Sequence, residues 1–467
     1  GRQHNAMMSR IRLWLDALRT SLWFIPTLVV LGSMVLAYGL LAVDAALPVG
    51  WWKPIGWLHP VMDVRIRGAS AMLQLIGGSI ITITGVVFSI TIAAVTLAAG
   101  QYTSRVLRNF IRDRANQAVL GGFLGIFVYC VLVLRSLSGA SPEDHAPAVA
   151  LLMALLLAFV GVGTLIFFIH HIVRGLQATS VIAAIAREAL QSVDRHFPDR
   201  LKPSEHSGVS SRRPEGGHRA HVHAHRNGYI TGIDFDALAG QAEECDGLVR
   251  VRRRPGMFVS EGEVLADFQT PEAVDEERVR ALRGAWSFAT MRTLENDPGY
   301  GLRQLVDVAL KALSPGVNET TTGVMCVNWL GVVLQRMAGR RFPPRFRSRG
   351  DCIRVVTYAP GMGDFIALAF DQIRQNAFGN AAVLYRQLEV LLALAEGNGS
   401  RMLRAPILRQ ADAIAVLTER SVEWEPDREP LRELLQTLRE SLGAEAGQGD
   451  DGVTQPAVSA PPSHTAD

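Results

Sequence analysis

Four long runs of apolar residues dominate the first part of the chain, and they cover residues 22–43, 75–103, 118–134 and 148–169. Apolar segments of about 17–25 residues can cross the hydrocarbon core of a bilayer as helices. A signal peptide is the alternative for the first run, but that run is longer than a signal hydrophobic core and no clear cleavage site follows it. The pattern therefore predicts four transmembrane helices within residues 22–174.

The second run carries small and polar residues at a helical repeat. Steps of three and four positions place these residues on one face of a helix, while bulky aliphatic residues occupy the opposite face. Small residues let membrane helices pack closely, and a polar face can instead line a wet path. The small polar face consists of Gly78, Thr82, Gly85, Ser89, Ala93, Thr96, Gly100 and Thr103.

The distribution of arginine predicts the orientation of these helices. The N-terminal segment and the connection after the second run are rich in arginine, and Arg105, Arg108 and Arg112 recur there at helical spacing. The connection between the third and fourth runs has only Arg135 at its edge. Because cytoplasmic loops carry an excess of Lys and Arg, we expect both termini in the cytoplasm, with the three spaced arginines at a basic cytosolic entrance.

The chain changes character after the fourth run. Residues 175–217 predict a connecting helix and a Ser-, Pro- and Gly-rich flexible linker, and residues 218–270 alternate in the manner of short strands. Helical patterns return over residues 271–443, with one predicted strand at Cys352–Tyr358. Residues 444–467 have the composition of a disordered tail. Residues 1–21 read as a tag remnant followed by a cytosolic segment. The fold class is thus an integral membrane protein, mainly α, with four transmembrane helices followed by a cytosolic α+β region.

The predicted β module resembles the barrel-sandwich hybrid of biotinyl and lipoyl carrier domains, because short strands alternate with Pro-Gly and Gly turns. Those carriers are modified on a lysine at the tip of a hairpin. No lysine occurs between Gly228 and Pro271. The sequence therefore excludes a swinging-arm role, predicts no cofactor, and leaves a structural or docking module.

Three histidines are candidate metal ligands. His221, His223 and His225 alternate along the first predicted strand, so all three would point to one face. Three imidazoles can bind zinc or nickel. The alternative is a solvated, histidine-rich strand edge.

The remaining composition narrows the class of protein. A formal charge of only +3 over 467 residues gives no indication of a nucleic-acid partner. Four widely spaced cysteines predict neither a disulfide framework nor a thiolate metal site. Because no histidine lies between His225 and His464, a serine or cysteine triad has no local base there. No phosphate-binding loop of the Walker type is present, and these patterns together predict a protein that is not an enzyme.

Several motifs of the second half resemble a bacterial family of predicted membrane proteins, domain of unknown function 2254. They are Gly-Tyr-Ile at 228–230, Arg-Pro-Gly at 254–256, the helical sequence 301–307 and, as the most specific one, Ala-Leu-Ser-Pro-Gly-x-Asn at 312–318. The resemblance extends from Met8 to about Leu442. It implies a multi-pass protein of the bacterial inner membrane and carries no established activity.

Two functions are compatible with these patterns. The first is an oligomeric channel-like or pore-forming protein, in which the second helix of each copy lines the axis. The alternative is a non-conducting membrane scaffold or sensor whose cytosolic domain docks partners. In both cases the predicted partners are the lipid bilayer and further copies of the chain.

Overall fold

A computed structural model describes residues 23–47, 64–101, 113–138, 141, 145–175, 177–197, 214, 217–290, 298–398 and 401–444. The chain divides into two compact units, Gly1–Val181 and Ile182–Asp467. The predicted leading segment 1–21, most of the predicted linker and the tail beyond residue 444 lie outside the described residues. The candidates Thr103, Arg105, Arg108 and Arg112 also lie outside them.

The described part of the first unit contains four helices that are long and apolar enough to cross a membrane. They are α1 Phe24–Ala46, α2 Ile66–Gln101, α3 Arg114–Ser136 and α4 Ala148–Gly175. The prediction of four such helices is confirmed. Three of them are clearly longer than the apolar runs suggest, because α2 begins at Ile66, α3 extends from Arg114 to Ser136 and α4 continues to Gly175.

Helix α3 is the centre of this unit and contacts each of the other three helices. Its side chains Phe123, Tyr129 and Val133 are fully buried. An added Cβ at Gly121 would lie 2.8 Å from the Cα of Pro26 in α1. The absence of a side chain at this glycine therefore lets two helix backbones approach closely, as is common between membrane helices.

A remote aspartate caps the start of α4. The Asp44 carboxylate, near the end of α1, accepts hydrogen bonds from the backbone N–H of Val149 at 2.9 Å and of Ala150 at 2.8 Å. The Tyr129 hydroxyl donates to the carbonyl oxygen of Ala150 at 2.8 Å. The first N–H groups of a helix have no partner within it, and a carboxylate there also interacts favourably with the helix dipole. Asp44 thus connects α1 to α4.

The second unit contains two small sheets. The strands are β1 His218–His223, β2 Gly228–Ile233, β3 Leu248–Val251, β4 Phe258–Val259, β5 Val264–Thr270, β6 Trp286–Ala289, β7 Phe346–Arg349 and β8 Cys352–Val356. A five-stranded sheet has the order β1-β5-β3-β8-β7, and a three-stranded sheet has the order β4-β2-β6. Strands β3 and β8 pair in parallel, whereas the other pairs are antiparallel.

These sheets differ from a self-contained module of strands over residues 218–270. Helix α6 Phe235–Glu244 lies between β2 and β3, and helix α7 Glu276–Arg283 lies between β5 and β6. The Asp234 side chain accepts from the N–H of Ala237 and so caps α6. Strands β6, β7 and β8 lie within residues 271–443, which are predicted to be mainly helical. Of the three, only β8 coincides with the predicted strand Cys352–Tyr358. Long-range pairing completes the sheets, and local alternation does not specify such pairing.

Helices form most of the remaining second unit. They are α5 Ala178–His196, α8 Pro298–Ala312, α9 Thr320–Ala338, α10 Met362–Asn376, α11 Ala381–Asn398, α12 Arg401–Ser421 and α13 Glu425–Ala444. The Ser-Pro-Gly-Val-Asn turn before α9 predicts Asn318 as the N-cap of this helix, and the structure corrects this assignment. Asn318 adopts a left-handed conformation with φ 47°, and Glu319 is the residue at the N-cap.

Helix α5 packs into the second unit through its last turns. The Asp194 carboxylate accepts from Arg336 Nε at 2.9 Å and Nη2 at 3.1 Å, and from Arg340 Nη2 at 2.6 Å. Phe197, just beyond the helix, contacts the rings of Phe342 and Phe365 at centroid distances of 4.8 and 5.8 Å. The predicted connecting helix is therefore packed within this unit and ends at His196.

Candidate functional site

The small polar face of α2 is exposed along its described length. It forms a continuous stripe because its members follow one another by three or four positions. Thr103, the last predicted member, lies outside the described residues. The exposed members are Gly78, Thr82, Gly85, Ser89, Ala93, Thr96 and Gly100.

The opposite side of α2 packs within the first unit. Ile80 and Val87 are 4% and 2% exposed, and Ala94 and Ala98 are also buried. Because residues of an α-helix advance by about 100° each, these positions lie opposite the small polar face. Helix α2 therefore uses its aliphatic face inside the chain and leaves the small polar face uncovered by the described residues.

The glycines of the small polar face do not serve packing inside the described chain. At Gly78, Gly85 and Gly100 an added Cβ would meet no atom of the described residues within 4 Å. This differs from Gly121, where the added Cβ would meet the Pro26 backbone. Glycine has a low helix propensity, so its repeated use on an uncovered face is consistent with a contact or a passage outside the single chain.

The hydroxyl groups of the face donate to defined acceptors within the helix. Thr82, Ser89 and Thr96 each donate to the carbonyl oxygen four positions earlier, in every case at 2.9 Å. Each donor is thereby satisfied within the helix, while the hydroxyl oxygen keeps lone pairs that can accept from water. The face can therefore contact water or another helix without an unpaired donor.

The small polar face begins earlier in α2 than the apolar run 75–103 predicts. Because α2 begins at Ile66, the same spacing extends backward through Gln74 and Ala71 to Arg67, and these three residues are exposed. The stripe thus has a polar amide above Gly78 and a cation in the first helical turn. Positions 67, 71, 74 and 78 continue the steps of three and four in the sequence. Because Arg67 and Gln74 are polar, this part of the helix does not belong to the apolar run.

The three candidate metal ligands have three different environments. The Nδ1 atom of His221 lies 3.0 Å from Asp267 Oδ1, and the Nδ1 atom of His223 lies 2.7 Å from the carbonyl oxygen of Gly262. His225 lies beyond β1, with its ring against an aromatic side chain. Within the described residues, no group of three His, Cys, Asp or Glu side chains is arranged to hold a metal ion.

Two comparisons place the chain among known proteins. Residues 19–393 match the family described as predicted membrane protein (DUF2254). An uncharacterized protein of Mycobacterium bovis is 28% identical over 474 residues, which is 98% of this chain and 86% of the relative. An uncharacterized protein of Mycobacterium tuberculosis gives the same values.

No solved structure gives a significant match. The family match covers most of the chain and includes the four apolar helices, both sheets and the helices through most of α11. The protein therefore belongs to the DUF2254 family of predicted membrane proteins.

Proposed function

We propose that the protein is a non-enzymatic, channel-like homo-oligomer of the bacterial inner membrane, in which α2 of each copy lines a central path. The observation that carries the proposal is the uncovered small polar face, which lies opposite the packed face of the same helix. Copies arranged around an axis would remove this face from lipid. The glycines would keep the path open, and the hydroxyl oxygens would contact water in it. In this arrangement both termini are cytoplasmic.

The charge on the lining favours small anions. Arg67 lies on the small polar face in the first turn of α2 and is exposed. In an oligomer each copy would contribute one such cation, and rings of arginine select for anions in pores. The face carries no acidic residue between Arg67 and Gly100. The arginines Arg105, Arg108 and Arg112 follow the helix and would add positive charge at the cytosolic entrance.

Conductance of the purified protein in planar bilayers tests this proposal. We expect anion-selective currents under voltage, membrane tension or a pH change. In Arg67→Glu the reversal potential should shift toward the equilibrium potential of the cation, because the selectivity for anions is reduced. Arg135→Glu is the matched control, because this exposed arginine is at the end of α3 and away from the small polar face. Absence of current under all three stimuli would contradict the proposal.

A specific observation also supports a second function, a non-conducting scaffold or sensor. The hydroxyl donors of the small polar face are satisfied within α2, and small residues allow two helices to pack closely in a membrane. In this alternative the faces of two copies meet in a dry contact. The second unit would then dock partners.

Cysteine accessibility distinguishes the two functions. Three of the native cysteines are buried, so Cys245→Ser gives a suitable background. In membranes, cysteines introduced at Thr82, Ser89 and Thr96 should react with a water-soluble thiol reagent if the face is wet. They should remain inert if it is packed. Phe159→Cys on α4 is the lipid-facing control, since this side chain is 68% exposed on an apolar helix surface.

A further inference from the structure

The edge strand β1 presents two histidines on the outer surface of the five-stranded sheet. Strand β1 is the first in the order of that sheet, so one of its edges is unpaired within the described residues. Val222 is fully buried in the core of the sheet, whereas its neighbours His221 and His223 are exposed. Because side chains alternate along a strand, the two imidazoles share the outward face.

A carboxylate on the neighbouring strand fixes the orientation of His221. Asp267 pairs with His221 in the β1–β5 register, and its Oδ1 atom lies 3.0 Å from Nδ1 of the ring. The other carboxylate oxygen, Oδ2, accepts from Arg252 Nε at 2.7 Å. Asp267 is itself 9% exposed, so it is a fixed acceptor rather than a solvated side chain.

A backbone carbonyl fixes the orientation of His223. The carbonyl oxygen of Gly262 lies 2.7 Å from Nδ1 of this ring, in the turn between β4 and β5. A carbonyl oxygen can only accept, so Nδ1 of His223 carries the hydrogen. The Asp267 carboxylate oxygen accepts in the same way, which assigns a hydrogen to Nδ1 of His221. With Nδ1 as the donor, the lone pair of each neutral imidazole lies on Nε2, and neither Nε2 atom has a hydrogen-bond partner among the described residues.

This arrangement is the one in which proteins present histidine to a metal. Metal-binding histidines usually donate their other ring N–H to a carboxylate or a backbone carbonyl, which fixes the tautomer and orients the ring. His221 and His223 have one partner of each kind.

The separation of the rings is larger than that of two tetrahedral ligands on one ion. The centroids of His221 and His223 lie 6.1 Å apart. A metal–nitrogen distance of about 2.0–2.1 Å places each centroid about 3.2 Å from the ion, so two rings at the tetrahedral angle lie about 5.2 Å apart. Both side chains are exposed, and binding of a shared ion requires a side-chain rotation that brings the rings about 1 Å closer.

We propose that His221 and His223 form a two-histidine site for a divalent transition-metal ion that favours imidazole, such as Zn²⁺ or Ni²⁺. Water or a further ligand at the open strand edge would complete the coordination. Asp267 is a positioning residue in this site, because it contacts His221 and not the ion. His225 is not part of the site, since its ring packs edge-on against Phe288 at a centroid distance of 5.3 Å.

Calorimetric titration of the full-length, detergent-purified protein with Ni²⁺ and with Zn²⁺ tests the site. We expect one ion per chain, and loss of that binding in His221→Ala and in His223→Ala. Asp267→Asn should weaken the affinity by about 10–100-fold, as expected when the partner of a metal-bound histidine is altered. His218→Ala is the matched control on the same strand, because His218 pairs opposite Thr270 and points to the other face.

Circular dichroism of each variant separates loss of binding from loss of folding. The proposal predicts unchanged binding in His218→Ala and in His225→Ala. It is overturned if the two histidine variants fold and bind the ion as the parent does. It is also overturned if His225→Ala abolishes binding, because the third histidine would then be a ligand.

Discussion

At the scale of single residues, glycine has two distinct roles in the apolar helices. Gly121 and Gly125 of α3 lie against α1, where an added Cβ would come within 2.8 Å of Pro26 Cα and 2.5 Å of Ser33 Oγ. The neighbouring Gly122 has no atom of the described residues within 4 Å of such a Cβ. The packed and the unpacked glycines cannot be told apart in the sequence, because they differ only in the atoms that face them.

This difference predicts unequal effects of the same substitution. Gly121→Ala should lower the free energy of unfolding by about 1–3 kcal/mol relative to Gly122→Ala, because the new methyl group meets a helix backbone that cannot turn aside. Both variants gain the same helix propensity, so their difference isolates the contact. Thermal unfolding in detergent measures it. Equal midpoints for the two variants would contradict the close approach of α1 and α3.

Asp44 carries a second prediction at this scale. Asp44→Ala leaves the N–H groups of Val149 and Ala150 without their acceptor, and loss of a helix cap costs about 0.5–2 kcal/mol. Asp44→Asn keeps an acceptor and should retain part of the stability. The unfolding midpoints should therefore rank the parent above Asp44→Asn, and Asp44→Asn above Asp44→Ala. If Ala and Asn were equally harmless, the carboxylate would not act as the cap of α4.

In the sequence, Asp44 is only the first charged residue after the apolar run 22–43. The positions of the helices follow from local periodicity, and they were predictable for that reason. The partner of Asp44 is 105 residues away, and no local pattern specifies such a contact. Similarly, the spacing of His221 and His223 was visible in the sequence, whereas their acceptors Asp267 and Gly262 depend on how β1 pairs with β5.

At the scale of elements, α5 illustrates how an amphipathic segment becomes part of a packed unit. Its apolar positions Ile182, Ile185 and Val193 are buried, which agrees with the predicted helix. Its ion pairs to Arg336 in α9 and to Arg340 after that helix could not be predicted, because both arginines are far from Asp194 in sequence.

The ion pairs of α5 predict a dependence on pH. Hydrogen bonds and charge from Arg336, and then from Arg340, hold the pKa of the Asp194 carboxyl below its usual value of 3.8. A lowered pKa in the folded state means that this contribution is present above about pH 4 and is lost as the pH falls below that value. Because Asp194 is 40% exposed, the contribution is about 0.5–1 kcal/mol.

Unfolding of the parent and of Asp194→Asn, measured over a range of pH, checks this contribution. We expect the parent to be more stable at pH 7 and the gap to close below pH 4. Arg195→Gln, which changes an exposed charge on the same helix, serves as the control. Its stability should differ little from that of the parent at every pH. A gap that persists unchanged at pH 3 would show that the stabilisation is not the ionised carboxylate.

At the scale of the whole molecule, the two units differ in the surfaces that they present. The apolar helices of the first unit expose large hydrophobic side chains such as Leu31, Phe159 and Ile166, which suit lipid. The second unit has buried cores of its own, which include Phe268, Leu330 and Phe370. The boundary between the units falls near residue 181, within α5.

This contrast predicts that residues 177–444 fold in water without the four apolar helices. The fragment keeps α5, both sheets and the helices α8 to α13, so the buried residues of the second unit retain their neighbours. We expect a protein that purifies without detergent and unfolds in one cooperative transition, followed by circular dichroism.

A fragment that starts at residue 198 is the matched comparison. It lacks α5 and Phe197, which exposes Phe342 and Phe365 and removes the carboxylate that binds Arg336. The shorter fragment should unfold at a lower temperature or aggregate, whereas equal stability of the two would mean that α5 is not an integral part of this unit.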